Sequence, residues 1–119
     1  MEELIKSELN IENMIYEIRG KQVMLDSDLA QLYQCKNGTK TINLAVKRNI
    51  KRFSEDFYYQ LSLKEFRDIL KFQFETSNVE SAGKGGIRKL PYVFTEQGVA
   101  MLATVLKTEV ASQVAKHFQ

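Results

Sequence analysis

The segment spanning residues 36–54, KNGTKTINLAVKRNIKRFS, is the feature of this sequence that most constrains its fold. Apolar side chains recur there every three or four residues, which is the spacing of one buried helix face. These side chains are Ile42, Val46, Ile50 and Phe53. Six basic residues and no acidic ones lie among the other positions: Lys36, Lys40, Lys47, Arg48, Lys51 and Arg52. The pattern predicts a helix from about residue 40 to residue 52, with its buried stripe opposite an exposed row of Lys40, Leu44, Lys47 and Lys51.

The charge of this segment differs from that of the rest of the chain. The formal net charge of the 119 residues is only +2. Residues 1–35 carry three basic and seven acidic side chains, and residues 55–119 carry eight of each, so residues 36–54 hold the whole positive excess. A cationic helix face with Asn and Thr among its charges suits the major groove of duplex DNA, where cations neutralise phosphates and short polar groups read base edges. A solvated basic face without a partner is the alternative interpretation.

Length and composition indicate a single globular domain. A chain of 119 residues with 44% hydrophobic and 27% charged residues can bury one core but not two. No apolar run is long enough to cross a bilayer, and the acidic start MEELIKSELN is unlike a secretory signal. The single cysteine, Cys35, cannot form an internal disulfide, which fits a reducing cytoplasm. We therefore expect a soluble, cytoplasmic protein that makes no membrane contact.

Before the basic segment, the pattern predicts a β-hairpin and a short helix. Two β-prone runs, residues 15–18 and 22–25, flank a turn in which Gly20 can adopt a positive φ angle. Asp26 or Ser27 is expected to cap the helix that follows. The buried stripe of that helix would consist of Leu29, Leu32 and Tyr33.

A turn signal at residues 36–38 separates this helix from the basic one. Thr39 or Thr41 is expected to cap the basic helix, because a hydroxyl oxygen can accept a backbone N–H at a helix start. The first helix, the turn and the basic helix together resemble a helix-turn-helix, in which the first helix braces the second against DNA.

After the basic segment, the pattern alternates short strands with helices. Residues 56–61 have strand character, Ser62 and Glu65 form a capping box that opens a helix, and residues 75–89 form a polar loop. A short strand then precedes a helix capped by Thr95, and a last helical pattern continues towards the end of the sequence. The predicted fold class is α+β, with a helix-turn-helix-like core, small antiparallel β-strands and a C-terminal helix.

Three ordered stretches of the sequence together resemble a known family. They are IYEIRGKQVMLDSDLAQLY, TKTINLAVKRNIKRF followed by EDFYYQL, and GGIRKLPYVFTEQGVAML. The series is similar to the N-terminal DNA-binding domain of phage antirepressor-like proteins, in the ORF-six N-terminal branch related to the KilA-N and Bro-N domains. Two features depart from the family pattern: residues 34–38 make a longer turn, and Ser54 stands where proline is usual.

The resemblance implies a DNA-binding module of phage or prophage origin that acts in a bacterial host cell and has no enzymatic activity. It covers residues 15–106, which we expect to form a KilA-N-type DNA-binding domain. Outside this range, the sequence pattern predicts a lead-in over residues 1–14 and a C-terminal helix, linker or oligomerisation segment over residues 107–119. The polar helix positions of the family correspond to Thr39, Lys40, Asn43, Lys47, Arg48, Asn49 and Arg52.

Seven residues of the basic segment are the predicted DNA contacts: Lys40, Thr41, Asn43, Lys47, Arg48, Lys51 and Arg52. The cations are expected to contact phosphates, and Arg48 can also make a bidentate contact to guanine. Thr41 and Asn43 lie early in the helix, where recognition helices read base edges. Asn49 lies close to the apolar stripe, so we expect its amide to bond the backbone instead.

The polar loop holds a second candidate contact with DNA, formed by Lys84, Arg88 and Lys89. A mobile wing that touches the DNA backbone is one interpretation of this loop, and a plain flexible loop is the favoured one. A catalytic or metal site has little basis, because His117 is the only histidine and no Cys, His or carboxylates have the spacing of metal ligands. We expect no enzymatic activity, no cofactor and no metal.

Two functions of different classes fit the sequence. The first is a sequence-specific, double-stranded DNA-binding domain of a phage-type transcriptional regulator or antirepressor, whose basic helix docks in the major groove. The second is a protein-interaction module that binds a repressor or another partner protein without DNA contact. Double-stranded DNA is therefore the first expected partner. A homodimer formed through the C-terminal helix and a repressor protein are the other candidates.

Overall fold

The computed structural model describes residues 11–74 and 89–118, so most of the predicted lead-in lies outside the described residues. Within these ranges, the chain forms a four-stranded antiparallel sheet and five α-helices, which confirms the predicted α+β class. The strands are β1 (Ile15–Ile18), β2 (Lys21–Leu25), β3 (Tyr58–Gln60) and β4 (Tyr92–Thr95), in the spatial order β1-β2-β4-β3. The helices are α1 (Asp26–Leu32), α2 (Thr39–Arg48), α3 (Leu63–Phe74), α4 (Glu96–Leu106) and α5 (Glu109–His117), and short 3₁₀ helices cover Ile11–Met14 and Ile50–Arg52.

The predicted β-hairpin is present, with a tight two-residue turn. Ile18 pairs with Lys21, so β2 begins one residue earlier than the sequence pattern predicts. Gly20 has a φ angle of 77°, as predicted, and Arg19 also lies in the left-handed region at 56°. Positive φ angles at both turn residues match the right-handed twist of the two strands, which is why such turns dominate short hairpins.

The sheet separates two hydrophobic clusters, because side chains alternate between its faces. On β2, Val23 and Leu25 belong to one cluster and Met24, between them, to the other. On β4, Val93 and Phe94 divide in the same way. Helix α3 covers one face through Ile69 and Phe66, while α1, α2, α4 and α5 cover the opposite face. The domain thus has three layers, with a single helix on one side and a helical layer on the other.

The apolar stripe of the C-terminal helix α5 faces the core of the domain. Ala111, Val114 and Phe118 are buried, and α5 packs against α4. Lys107 lies in the left-handed region between the two helices, with a φ angle of 55°, and the Thr108 hydroxyl accepts a hydrogen bond from the Ala111 N–H to cap α5. A role for this segment as a linker or oligomerisation element stays a prediction. No helix of the described residues combines the length and the apolar character that crossing a membrane requires.

Two of the predicted helix caps are confirmed. At the start of α3, the Glu65 N–H donates to Ser62 Oγ at 3.1 Å, and the Ser62 N–H donates to Glu65 Oε1 at 2.8 Å. This reciprocal pair is the capping box that the sequence predicts. At the start of α4, the Gly98 N–H donates to Thr95 Oγ1 at 3.3 Å.

The other two predicted caps are wrong, for different reasons. Helix α1 follows β2 directly, so the strand residue Leu25 takes the N-cap position and no side chain caps the helix. Asp26 is buried instead, and its carboxylate accepts a hydrogen bond from the Tyr92 N–H at 3.4 Å, which ties α1 to β4. At α2, Gly38 is the N-cap, so Thr39 and Thr41 already lie inside the first turn.

We predict that Gly98→Ala destabilises the domain by about 2–3 kcal/mol through overpacking. A Cβ atom at Gly98 would overlap the backbone carbonyl of Phe57. That carbonyl cannot easily move, because it accepts hydrogen bonds from the Thr95 N–H at 3.0 Å and from the Thr95 hydroxyl at 3.3 Å. Urea denaturation measures the loss. The control is Ala100→Ser, at an exposed position of the same helix, which should change stability by less than about 0.5 kcal/mol.

A second prediction concerns the ion pair that joins the hairpin turn to α3. Arg19 donates to both carboxylate oxygens of Glu65, at 2.9 and 3.0 Å, and this lowers the pKa of Glu65 from 4.5 to about 2. Because the folded-state pKa is the lower one, the pair stabilises the fold fully above about pH 4.5, and the contribution is lost as pH falls towards 2. Glu65→Gln keeps the capping box but removes the charge, so it should cost about 1 kcal/mol at pH 7, given that Arg19 is half exposed.

The measurement for Glu65→Gln is the free energy of unfolding as a function of pH, from pH 7 down to pH 3. The gap between the wild-type chain and the variant should narrow as pH falls below 4.5. A gap that stays constant over this range would show that the charge of Glu65 does not stabilise the fold.

Candidate nucleic-acid interface

The end of α1 is shaped by a left-handed residue that the sequence does not signal. Gln34 has a φ angle of 57°. The Gln34 N–H donates to the carbonyl of Gln31 at 3.1 Å, and the Cys35 N–H donates to the carbonyl of Ala30 at 3.0 Å. These two bonds form a Schellman motif, which normally has glycine at the left-handed position. The chain reversal therefore begins two residues before the turn that residues 36–38 predict.

The second half of the segment between α1 and α2 sets where α2 begins. The Gly38 N–H donates to the carbonyl of Cys35 at 3.2 Å, and Gly38 has a φ angle of 60°. Helix α2 then packs against α1 and α4 through Ile42 and Val46, which are 0% and 1% exposed. These two side chains fix the rotation of α2 about its axis, and with it the side of the helix that faces solvent.

Helix α2 ends earlier than the sequence predicts. The Asn49 side-chain amide donates to the carbonyl of Ala45 at 2.9 Å, which confirms the structural role expected for Asn49. The α-helix stops there, and a 3₁₀ turn covers Ile50–Arg52. The prediction of one helix to Arg52 with Ile50 in its buried stripe is wrong, because the break rotates Ile50 outward to 55% exposure. Phe53 still reaches the core, where its ring contacts Phe94 edge-on at a centroid distance of 6.2 Å.

All basic side chains of residues 36–54 are exposed to solvent. The ion pairs of Arg19 with Glu65 and of Lys21 with Asp56 do not involve this segment. We use the term cationic surface for the exposed side of α2 and its 3₁₀ turn, formed by Lys40, Lys47, Arg48, Lys51 and Arg52. None of these cations has an acidic partner among the described residues, so the surface presents a positive electrostatic potential to solvent.

Thr41 and Asn43, the two uncharged residues predicted to read base edges, lie at the margins of this surface. Thr41 is half-buried and close to Cys35: burial raises the pKa of the Cys35 thiol, and a hydrogen bond with the Thr41 side chain offsets part of the rise. Asn43 is also half-buried, and its side-chain oxygen is shielded from water without a hydrogen-bond partner among the described residues. Leu44, to which the sequence assigned no role beyond exposure, is the apolar residue at the centre of the surface, with 37% of its area exposed.

The second predicted contact region is only partly described. Lys84 and Arg88 lie outside the described residues, whereas Lys89 is described and exposed. Lys89 is near the buried carboxyl of Asp26, where burial raises the pKa and the Tyr92 N–H and the Lys89 charge lower it. Asp28, two residues after Asp26, also has a raised pKa, because its carboxyl is buried and lies near the charge of Asp26. Lys89 is thus placed at the start of α1, and a contact between this region and DNA stays a prediction.

The fold and this surface together define an α+β domain that presents one cationic helix, braced by two others, to solvent. The profile of the ORF6N domain family matches residues 13–105, which is most of the chain. The chain belongs to this family, and the match confirms the resemblance to the phage antirepressor type of domain. Comparisons with curated proteins and with solved structures gave no match.

The left-handed residue at the end of α1 gives a direct prediction. Gln34→Gly should stabilise the domain by about 0.5–1 kcal/mol, because glycine adopts a positive φ angle without the strain that a Cβ atom causes. The matched control is Gln31→Gly, at an exposed position within α1, which should instead cost about 1 kcal/mol. Urea midpoints of the two variants check the opposite signs. Destabilisation by both would mean that Gln34 makes a contact worth more than its backbone strain.

Proposed function

We propose that this chain is a sequence-specific, double-stranded DNA-binding domain of a phage- or prophage-type transcriptional regulator or antirepressor. In this proposal α1 and α2 act as a helix-turn-helix-like pair, and the cationic surface of α2 docks in the major groove. The observation that carries the proposal is a set of five exposed cations without acidic partners among the described residues: Lys40, Lys47 and Arg48 on α2, and Lys51 and Arg52 on the 3₁₀ turn that follows it. Membership of the ORF6N family supports the same function.

The physical basis of the proposal is the match between this surface and the phosphate backbone. A major groove about 12 Å wide admits one α-helix, and cations that neutralise phosphates release condensed counterions. Lys47 and Lys51 act as point charges in this arrangement, while Arg48 and Arg52 can each donate two parallel hydrogen bonds. We further propose that the domain performs no enzymatic step and works in the cytoplasm of a bacterial host.

A protein-interaction module is the second candidate function. The observation that favours it is the exposure of Leu44 and Ile50, two large apolar side chains among the cations, because exposed apolar area rimmed by polar residues is a feature of protein-interaction sites. In this version the cationic surface binds an acidic patch on a repressor or another partner. The two candidates differ in whether the chain binds duplex DNA with a steep salt dependence.

A triple alanine variant of Lys47, Arg48 and Lys51 tests the DNA-binding proposal. These side chains are exposed, so the fold should persist, while duplex affinity should fall at least about tenfold. The slope of log affinity against log salt concentration should become shallower by about 0.9 for each phosphate contact that is lost. Fluorescence anisotropy with a labelled duplex at several salt concentrations measures both quantities.

The chain offers a closely matched control in α3, where Lys64, Arg67 and Lys71 are also exposed. Their triple alanine variant removes the same charge from the helix on the other side of the sheet, and it should bind DNA nearly as the wild-type chain does. Equal losses in both variants would indicate a general charge effect. Unchanged affinity in the α2 variant would contradict the proposal and favour the protein-interaction module.

A further inference from the structure

Leu44 occupies the centre of the cationic surface. Its side chain is 37% exposed, although the transfer of a leucine side chain out of water lowers the free energy. On a helix surface, the neighbours of a residue lie three and four positions away in each direction. The neighbours of Leu44 are therefore Lys40, Thr41, Lys47 and Arg48. Three cations and a threonine thus surround one apolar side chain.

The buried side of α2 explains why Leu44 points outward. Ile42 and Val46, two residues before and after it, are 0% and 1% exposed. Each residue turns an α-helix by about 100°, so Leu44 lies directly opposite the midpoint between these two side chains. Among the side chains of α2, Leu44 is therefore directed furthest from the core. When the exposed side of this helix approaches a partner, Leu44 is the side chain that points most directly at it.

The polar residues near Leu44 are set further back. Thr41 is half-buried beside Cys35, and the side-chain oxygen of Asn43 is shielded from water. In a helix seated in the major groove, Leu44 would reach the base edges before either of them. Leucine can neither donate nor accept a hydrogen bond. The apolar group that the major-groove edge of a base pair offers is the C5-methyl group of thymine.

We propose that Leu44 is a specificity-determining residue that packs against the C5-methyl group of a thymine in the major groove. The inference rests on the proposed function, because it takes α2 to be the helix that enters the groove. Lys40, Lys47 and Arg48 bind phosphates on either side and hold Leu44 over the bases. The charge of these neighbours favours a polyanion over an apolar protein surface as the occupant.

The experiment uses a duplex that the wild-type chain selects from a random pool, with each thymine replaced in turn by deoxyuridine. This replacement removes one methyl group and keeps every hydrogen-bonding group of the base. For one thymine per bound chain, the replacement should lower the affinity of the wild-type chain about fourfold. This loss corresponds to about 0.8 kcal/mol, the free energy of burying one methyl-sized group. Leu44→Ala should bind the thymine and deoxyuridine duplexes equally, while the slope of its salt dependence stays that of the wild-type chain.

Leu63→Ala is the matched control, because Leu63 is 39% exposed but begins α3 on the other side of the sheet. This variant should keep the fourfold preference for thymine. The inference is overturned if the wild-type chain binds every deoxyuridine duplex as tightly as the parent duplex, or if Leu44→Ala keeps the preference. A chain that selects no duplex from the pool overturns the proposed function itself, so the two failures are distinguishable.

Discussion

The burial of Ile42 and Val46 is the constraint on which the surface of this domain depends. These side chains lie four residues apart on one stripe of α2 and enter the core that α1 and α4 also line. Once they are buried, the helical repeat determines the direction of every other side chain of α2, and Leu44 and the cations beside it must face solvent. The position of the charges is therefore a consequence of apolar packing.

The sheet supplies the platform that holds this packing in place. Its two central strands, β2 and β4, are paired antiparallel, and each leads directly into a helix, α1 and α4 respectively. Leu25 at the end of β2 pairs with Val93, near the start of β4, so the two helices begin at opposite ends of the strand pair. Helix α2 lies against both of them. Its orientation thus depends on backbone hydrogen bonds in the sheet as well as on side-chain contacts.

Local chemistry made several elements predictable. A glycine between two β-prone runs indicated the hairpin, and Ser62 and Thr95 indicated the caps because their side-chain oxygens lie at the N-cap position itself. Other elements had no local signal. Gln34 adopts a left-handed conformation that glycine or asparagine would have indicated, and the carboxylate of the buried Asp26 accepts a hydrogen bond from the N–H of Tyr92, which is distant in sequence. The break at Asn49 was also hidden, since the sequence continues its helical apolar spacing through Ile50.

The sequence by itself determined the α+β class, the family and the presence of one cationic amphipathic helix, because composition, periodicity and charge are properties of short stretches. Only the tertiary structure decided where that helix ends and which of its polar residues remain accessible, as the shielded side-chain oxygen of Asn43 shows. These features depend on the neighbours that α1, α4 and the turns bring to each residue. A periodic pattern specifies a buried stripe, whereas the accessibility of the residues that flank the stripe is set by what packs beside it.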